Sequence, residues 1–174
     1  MKDKSSSMYV KDGSDNRVRR ALLPGSFDPF TVGHAALVQR GLKLVDEIII
    51  SIGVNNAKQT YYSLEERLQM LRDLYKDNPA VRVEAYDSLT VDFAQASGAD
   101  FMLRGVRSVI DFEYERMIAD TNRAIAGIET IVLFAEPEVS AINSSHVREL
   151  LHYGHDVTPF IPEGMVLPAK PDKE

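Results

Sequence analysis

The residues of this sequence best suited to chemistry lie in four separate stretches, and each offers donors to an anion. Pro24 to His34 reads Pro-Gly-Ser-Phe-Asp-Pro-Phe-Thr-Val-Gly-His. Gly25 would let the backbone approach a ligand closely, and Ser26 offers a hydroxyl beside it. Gly33-His34 falls where a helix should begin, so unpaired backbone N–H groups and the positive dipole end face outward next to an imidazole. That combination suits a phosphate. As an isolated pattern, Thr-x-Gly-His reads better as a turn with an exposed histidine. Placed between a strand and a helix, behind Pro-Gly-Ser-Phe-Asp-Pro, it reads as an anion site.

Arg104-Gly105-Val106-Arg107 follows the predicted strand Phe101 to Leu103. Each guanidinium is a rigid fork of donors matched to phosphate oxygens. The alternative for this pair is a surface bridge to Glu113 or Glu115. Carboxylates between Asp111 and Glu115 could neutralise the arginines or hydrogen-bond a ribose. The third stretch, Ser140 to Arg148, contains Asn143, Ser144 and Ser145, all good N-caps. Hydroxyls and free N–H groups at a helix start again form an anion nest, with Arg148 one turn on. The fourth is Lys58, in a loop after the strand predicted to end at Val54. Alone it would be a solvated lysine; as a further cation after a further strand end it joins the other three.

Other chemistries are excluded or unsupported. The sequence has neither GxxxxGK[ST] nor GxGxxG, and Gly25-Ser26-Phe27 lacks the second glycine of a nucleophile elbow. His152 and His155 have no HExxH partner and read as a surface pair. With 0 Cys there is no disulfide, thiolate zinc site or thiol nucleophile. A formal net charge of -6 argues against a protein that coats nucleic acid. No apolar run approaches the roughly 18 to 20 residues that cross a bilayer, and the N-terminus has no apolar signal core. The expected address is the cytoplasm, with neither nucleic acid nor membrane as partner.

These stretches need a scaffold that brings them together. Arg20 to Leu23, Glu47 to Val54, Val81 to Ala85, Phe101 to Leu103 and Thr130 to Phe134 read as strands. Between them, Leu37, Val38, Gly41, Leu42 and Val45 form a helical stripe. Ser63 and Glu66 form a capping box that opens a helix to about Tyr75. Val91 to Ala96, Phe112 to Ala126 and Ser144 to Leu151 supply the remaining helices. Alternation of this kind predicts a single-domain α/β fold, Rossmann-like, with a doubly wound parallel sheet of about five strands. Ligands then bind beyond the carboxyl ends of the strands. Residues 1–16, rich in Ser, Lys, Asp and Gly, are expected to be a disordered extension, 17–168 the domain and 169–174 a tail.

From about Arg20 to Met165 the chain closely resembles the bacterial phosphopantetheine adenylyltransferases of the nucleotidyltransferase superfamily. PGSFDPFTVGH is similar to the family's PGTFDPxTxGH, whose end is the superfamily's HxGH signature in this family's usual form. RGVRSVIDFEYE is similar to RGLRxxxDFEYE, and INSSHVRE to ISSSxVRE. Lys58 falls at the family's Ser-x-Lys position with Ser-Leu-Glu-Glu-Arg after it. The opening motif names only the superfamily; the arginine run narrows the likeness to this family. Three departures stand out. Ser26 replaces threonine but keeps the hydroxyl, Asn143 replaces a serine, and Val139 stands where some relatives have an aromatic against adenine.

The resemblance implies transfer of AMP from ATP to 4'-phosphopantetheine, giving dephospho-coenzyme A and pyrophosphate. It implies that Ser26 and His34 hold the reacting phosphates and that Lys58 orients the attacking phosphate. Arg104 and, through its backbone, Thr90 would meet phosphopantetheine. ATP would be surrounded by Phe27, Gly105, Val106, Arg107, Glu115 and the segment Val139, Ser140, Ala141, Ile142, Asn143, Ser144 and Ser145. The catalytic set would be His34, Lys58, Ser26 and Arg107. An acceptor phosphate is already anionic at neutral pH, so the task is to hold two repelling anions in line and stabilise charge on the α-phosphate. No carboxylate cage stands out, so Mg²⁺ is expected to come held by ATP phosphates. A homohexamer of D3 symmetry, with dephospho-coenzyme A or coenzyme A as product or feedback ligand, is implied too. Two alternatives stand beside this. One is a sister adenylyl- or cytidylyltransferase acting on nicotinamide mononucleotide or a polyol phosphate. The other is a non-catalytic nucleotide sensor.

Overall fold

Strand β1 (Arg20–Pro24) is short, yet Ala21, Leu22 and Leu23 are all buried, because it has a neighbour on each side and helices on both faces. The computed structural model describes residues 17–54 and 59–169. The expectations for residues 1–16, for Lys58 and for residues 170–174 lie outside the described residues.

Along the chain, β1 leads to α1 (Val32–Gly41), β2 (Glu47–Gly53), α2 (Leu64–Tyr75), β3 (Val81–Tyr86) and α3 (Thr90–Ala96). Then come β4 (Phe101–Val106), α4 (Val109–Ala126), β5 (Glu129–Phe134) and α5 (Ser144–His152). The five strands are parallel in the order β3-β2-β1-β4-β5. This is the doubly wound α/β sheet that the alternation of elements predicts. The order reverses at β1, so the β1/β4 boundary is the topological switch point.

Strand alternation divides the core in two. Leu23, Ile48, Ile50, Ile52 and Leu103 pack with Val38 of α1 and Leu68 and Leu71 of α2. Leu22, Ile49 and Met102 pack on the other side with Val91 and Ala94 of α3. Helix α1 lies directly on the sheet because Gly41 has no side chain. A Cβ there would sit 2.6 Å from Leu103 Cδ2 and 2.8 Å from Ile48 Cδ1. Helix α2 starts on its capping box, with Glu66 N donating to Ser63 Oγ at 3.2 Å and Ser63 N to Glu66 Oε2 at 2.6 Å.

Three boundaries differ from the sequence reading by more than one residue. Strand β4 runs on to Val106, so Arg104 and Gly105 belong to the strand and not to a loop after it. The reason is the ladder to β5, which pairs Arg104 with Val132 and Gly105 with Leu133. Helix α4 begins three residues early because the Ser108 hydroxyl accepts Asp111 N at 3.1 Å. Helix α1 ends at Gly41, so Val45 is buried from the following turn. Among the described residues, no helix is long and apolar enough to cross a membrane.

Candidate active site

The carboxyl ends of β1, β4 and β5 and the first turns of α1 and α5 meet around a cleft of about 440 Å³ at the switch point. Ser26, Gly33, His34, Arg104, Gly105 and Arg107 line it, with Val139, Ile142, Asn143, Ser144 and Ser145. Arg40, Arg148 and the end of β5 from Leu133 to Glu136 also belong to the wall. Four arginines therefore face one carboxylate, Glu136, which itself lies 3.8 Å from Arg40 Nε. Volume and charge fit a nucleotide polyphosphate.

His34 is fixed by the start of its own helix. Thr31 N lies 3.0 Å from His34 Nδ1, and Thr31 Oγ1 lies 2.9 Å from the same atom. A backbone N–H can only donate, so Nδ1 accepts and the proton of the neutral ring resides on Nε2. The ring stacks on Phe30, with centroids 5.2 Å apart and planes 30° apart, and meets Phe27 edge-on at 5.2 Å. Burial lowers the His34 pKa to about 4, and the positive charge of Arg107 adds to the effect. At neutral pH the residue is therefore an uncharged imidazole whose remaining ring donor is Nε2–H.

The turn before it is built around Phe27, a non-glycine residue at φ 45°. Its ring folds back over Gly25, where a Cβ would lie 2.6 Å from Phe27 Cζ. Gly25 is thus required by this packing, and not only by ligand approach. The Phe27 ring is buried, so little of this side chain is open to the ATP contact that the resemblance implies for it. Ser26 is exposed at the cleft.

Around this turn lies a buried polar hub that the sequence reading missed. The Asp28 carboxylate accepts Tyr62 N and Tyr61 N, each at 2.8 Å. Arg67 donates to Ser26 O at 2.7 Å and to Tyr62 O at 3.1 Å. Arg148 donates to Asp28 O at 2.7 Å, and the Ser144 hydroxyl to Pro29 O at 2.8 Å. Burial lowers the Arg67 pKa and the Asp28 charge opposes this. A signal was present in the sequence: Arg67 sits on the apolar stripe with Leu64, Leu68 and Leu71.

The second arginine of the Arg-Gly-x-Arg run behaves differently from the first. Arg107 lies in the cleft wall, and its Nε donates to Asp111 at 3.1 Å. Arg104 gives Nε and Nη2 to the two oxygens of Glu115, each at 2.6 Å, and Nη1 to Pro24 O at 2.8 Å. Glu115 is 8% exposed and outside the cleft wall. Both of its oxygens are held by Arg104, which itself lines the cleft, and the contact with ATP that the resemblance implies stays a proposal. Val106 is buried in the sheet, and Ser140 and Ala141 lie beside the cleft without lining it. Asn143 caps α5 by accepting His146 N at 3.0 Å, so that side chain serves the helix. Thr90 opens α3 outside this wall, with its hydroxyl 2.9 Å from Tyr86 Oη. Arg40, Glu136 and the end of β5 are further lining residues that no motif announced. Among the described residues, no group of three or more acidic or histidine side chains could hold a metal ion.

Residues 22–150 match the Cytidylyltransferase-like family. The phosphopantetheine adenylyltransferase of Phocaeicola vulgatus is 57% identical over 148 residues, covering 85% of this chain and 98% of that protein. The one from Bacteroides thetaiotaomicron shows the same identity and coverage. The Porphyromonas gingivalis protein is 49% identical over 147 residues, covering 84% of this chain and 96% of its own. Among solved structures, a bifunctional NMN adenylyltransferase/ADP ribose pyrophosphatase from Francisella tularensis superposes with a TM-score of 0.64 at 16% identity. The match covers 83% of this chain and 45% of that one, and it is a likeness of fold. The same protein complexed with AMP and a Mn ion gives a TM-score of 0.63.

Proposed function

The chain belongs to the phosphopantetheine adenylyltransferases of the Cytidylyltransferase-like family, and from that premise we propose how its cleft works. It is an adenylyltransferase that moves the adenylyl group of ATP to 4'-phosphopantetheine, giving dephospho-coenzyme A and pyrophosphate. An oxygen of the acceptor phosphate attacks the α-phosphorus, and the bond to the β-phosphate oxygen breaks. The observation that best supports this site is the neutral His34, tied through Nδ1 to Thr31, within a wall of arginines at the switch point.

In this reading His34 Nε2–H and the Ser26 hydroxyl donate to the α-phosphate, where charge accumulates. Arg107 and the first turn of α5 bind the ATP phosphates, and Val139 and Ile142 offer apolar surface to the base. Arg104, with Lys58 and the Thr90 backbone, receives the acceptor. The wall's donors are N–H groups that suit anions, so Mg²⁺ enters as Mg²⁺–ATP, a substrate held by its own phosphates. The setting we propose is the cytoplasm, with residues 17–168 as the domain and residues 1–16 and 169–174 as extensions. Dephospho-coenzyme A or coenzyme A would bind as product or feedback ligand. A homohexamer of D3 symmetry is proposed by the same reasoning. Sedimentation should then give six protomers, and a stable monomer at micromolar concentration would refute it.

The activity is tested by pyrophosphate release from Mg²⁺–ATP with a panel of acceptors. Phosphopantetheine should react and nicotinamide mononucleotide should not. ATP binding with no release for any acceptor would favour a sensor. Within the same assay, Arg104→Ala should raise KM for phosphopantetheine by about 10- to 100-fold, the loss of a charged hydrogen bond worth roughly 1.5 to 3 kcal/mol. Arg107→Ala should act on ATP instead. Equal effects of Arg104→Ala on both substrates would refute the division.

A further inference from the structure

Arg40 enters the cleft from the last turn of α1, six residues beyond His34 and about 9 Å along the helix axis. Its neighbours in the wall are apolar. Ala36 and Leu37 lie one turn before it on the same helix face, and Leu133 and Ala135 flank the carbonyl that it binds. An apolar end of this kind takes a base, whereas the donors for phosphate gather at the start of the helix. Nη1 of Arg40 donates to Phe134 O at 2.5 Å, and Nε lies 3.8 Å from Glu136 Oε1. Phe134 ends β5, an edge strand. The last bond from there to β4 is Ala135 N to Val106 O at 2.8 Å, and Arg40 adds a tie from α1, across the cleft. The backbone beyond it turns on local bonds, Val139 N to Glu136 O at 3.1 Å and Ile142 N to Val139 O at 3.0 Å. Its far end is fixed at α5, where the Ser144 hydroxyl holds Pro29 O. Between these anchors the segment passes within contact distance of Gly33, where a Cβ would lie 3.7 Å from Val139 O and 3.8 Å from Ile142 O.

We propose that Arg40 is a positioning residue for the nucleobase: by tying the end of β5 to α1 it sets the width of the slot between α1 and residues 135–142. The proposal rests on the reading that Val139 and Ile142 face the base of ATP. A slot of fixed width favours one base over others of different outline. A loose slot loses that preference together with affinity, because the segment must then be ordered on binding.

Steady-state kinetics with ATP, GTP and CTP in turn as the donor nucleotide test this. Arg40→Ala should raise KM for ATP by about 10-fold and leave KM for phosphopantetheine within about twofold. The ratio of kcat/KM for ATP to that for GTP or CTP should fall by about threefold or more, because a wider slot discriminates less. Arg40→Met keeps the apolar stem and drops the donors, which covers the case in which the alanine variant folds poorly, and should behave as alanine does. Arg40→Lys restores a donor to Phe134 O and should recover most of both effects. An equal loss for all three nucleotides, with the ratio unchanged, would overturn the proposal. Thermal melts run alongside identify a general loss of structure, which would lower kcat and both affinities together and overturn it too. Ile142→Ala separates the proposal from its premise. If that variant leaves KM for ATP unchanged, the base does not lie there and the proposal falls with the reading; if it raises that KM while the Arg40 variants are silent, the reading stands and the proposal alone is wrong.

Discussion

His34→Ala should lower kcat by about 10²- to 10³-fold, the usual cost of losing one preorganised donor to a developing oxyanion, and should leave KM for both substrates within a few-fold. The donor is a neutral imidazole. Its Nδ1 is committed to Thr31, its ring is held between Phe30 and Phe27, and burial keeps its pKa at about 4. Nothing has to reorganise when charge builds on the α-phosphate. His34→Gln keeps an amide donor and brings an acceptor oxygen to N3 for Thr31 N, but loses the ring contacts with Phe30 and Phe27, and should fall between wild type and alanine. A kcat near wild type for the alanine variant would take His34 out of the mechanism.

The same geometry has a pH signature. An unfolded chain protonates His34 near 6.5, whereas the folded protein resists protonation down to about 4. The stability that depends on a neutral His34 is complete above pH 6.5 and is lost as the pH falls toward 4. Relative to His34→Gln, wild type should therefore lose about 1 to 2 kcal/mol of stability between pH 7.5 and pH 5. Urea unfolding of both proteins at the two pH values measures it, and a difference independent of pH would mean that the imidazole is not held neutral.

How much of this was legible in the sequence differs from residue to residue. Alternating apolar runs were enough for the parallel sheet, because strands covered on both faces lose most of their polar positions, as Ile48, Ile49, Ile50 and Ile52 show around the one buried Ser51. The Ser63/Glu66 box was legible because capping is local chemistry over four residues. The end of β4 was not. Arg104-Gly105 has the composition of a turn, and only pairing with Val132 and Leu133, about 28 residues away, keeps it extended. The partnership of Glu115 with Arg104 was legible only as one alternative, a bridge from either arginine to Glu113 or Glu115, and the fold picks the pair. Eleven residues separate them in sequence, and no helical or strand spacing joins them until α4 folds back on β4. Arg40 and Glu136 were invisible because a polar residue near a helix end or after a strand is ordinary until a cleft forms beside it.

Asp28 marks the sharpest limit, since it lies inside the most legible motif and yet its task is read only from the fold. Its two oxygens hold Tyr61 N and Tyr62 N, while Arg67 ties Ser26 O to Tyr62 O and Arg148 ties Asp28 O to α5. The turn that carries Ser26 and His34 is thereby locked to the backbone at Tyr61 and Tyr62 ahead of α2. Asp28→Ala should cost about 3 to 5 kcal/mol, because it orphans the buried Tyr62 N–H and the half-buried Tyr61 N–H and leaves buried Arg67 without a nearby counter-charge. Asp28→Asn keeps one acceptor oxygen and turns an NH₂ toward the other N–H, so about 1 to 3 kcal/mol is expected. Since the turn that carries Ser26 and His34 loses its anchor to Tyr61 and Tyr62, kcat/KM should fall for ATP and for the acceptor together, unlike the one-sided effects of Arg104→Ala and Arg107→Ala. Denaturant midpoints and two-substrate kinetics on the asparagine variant decide it. A stability within about 0.5 kcal/mol of wild type, or a defect confined to one substrate, would show that Asp28 does not join the two halves of the site.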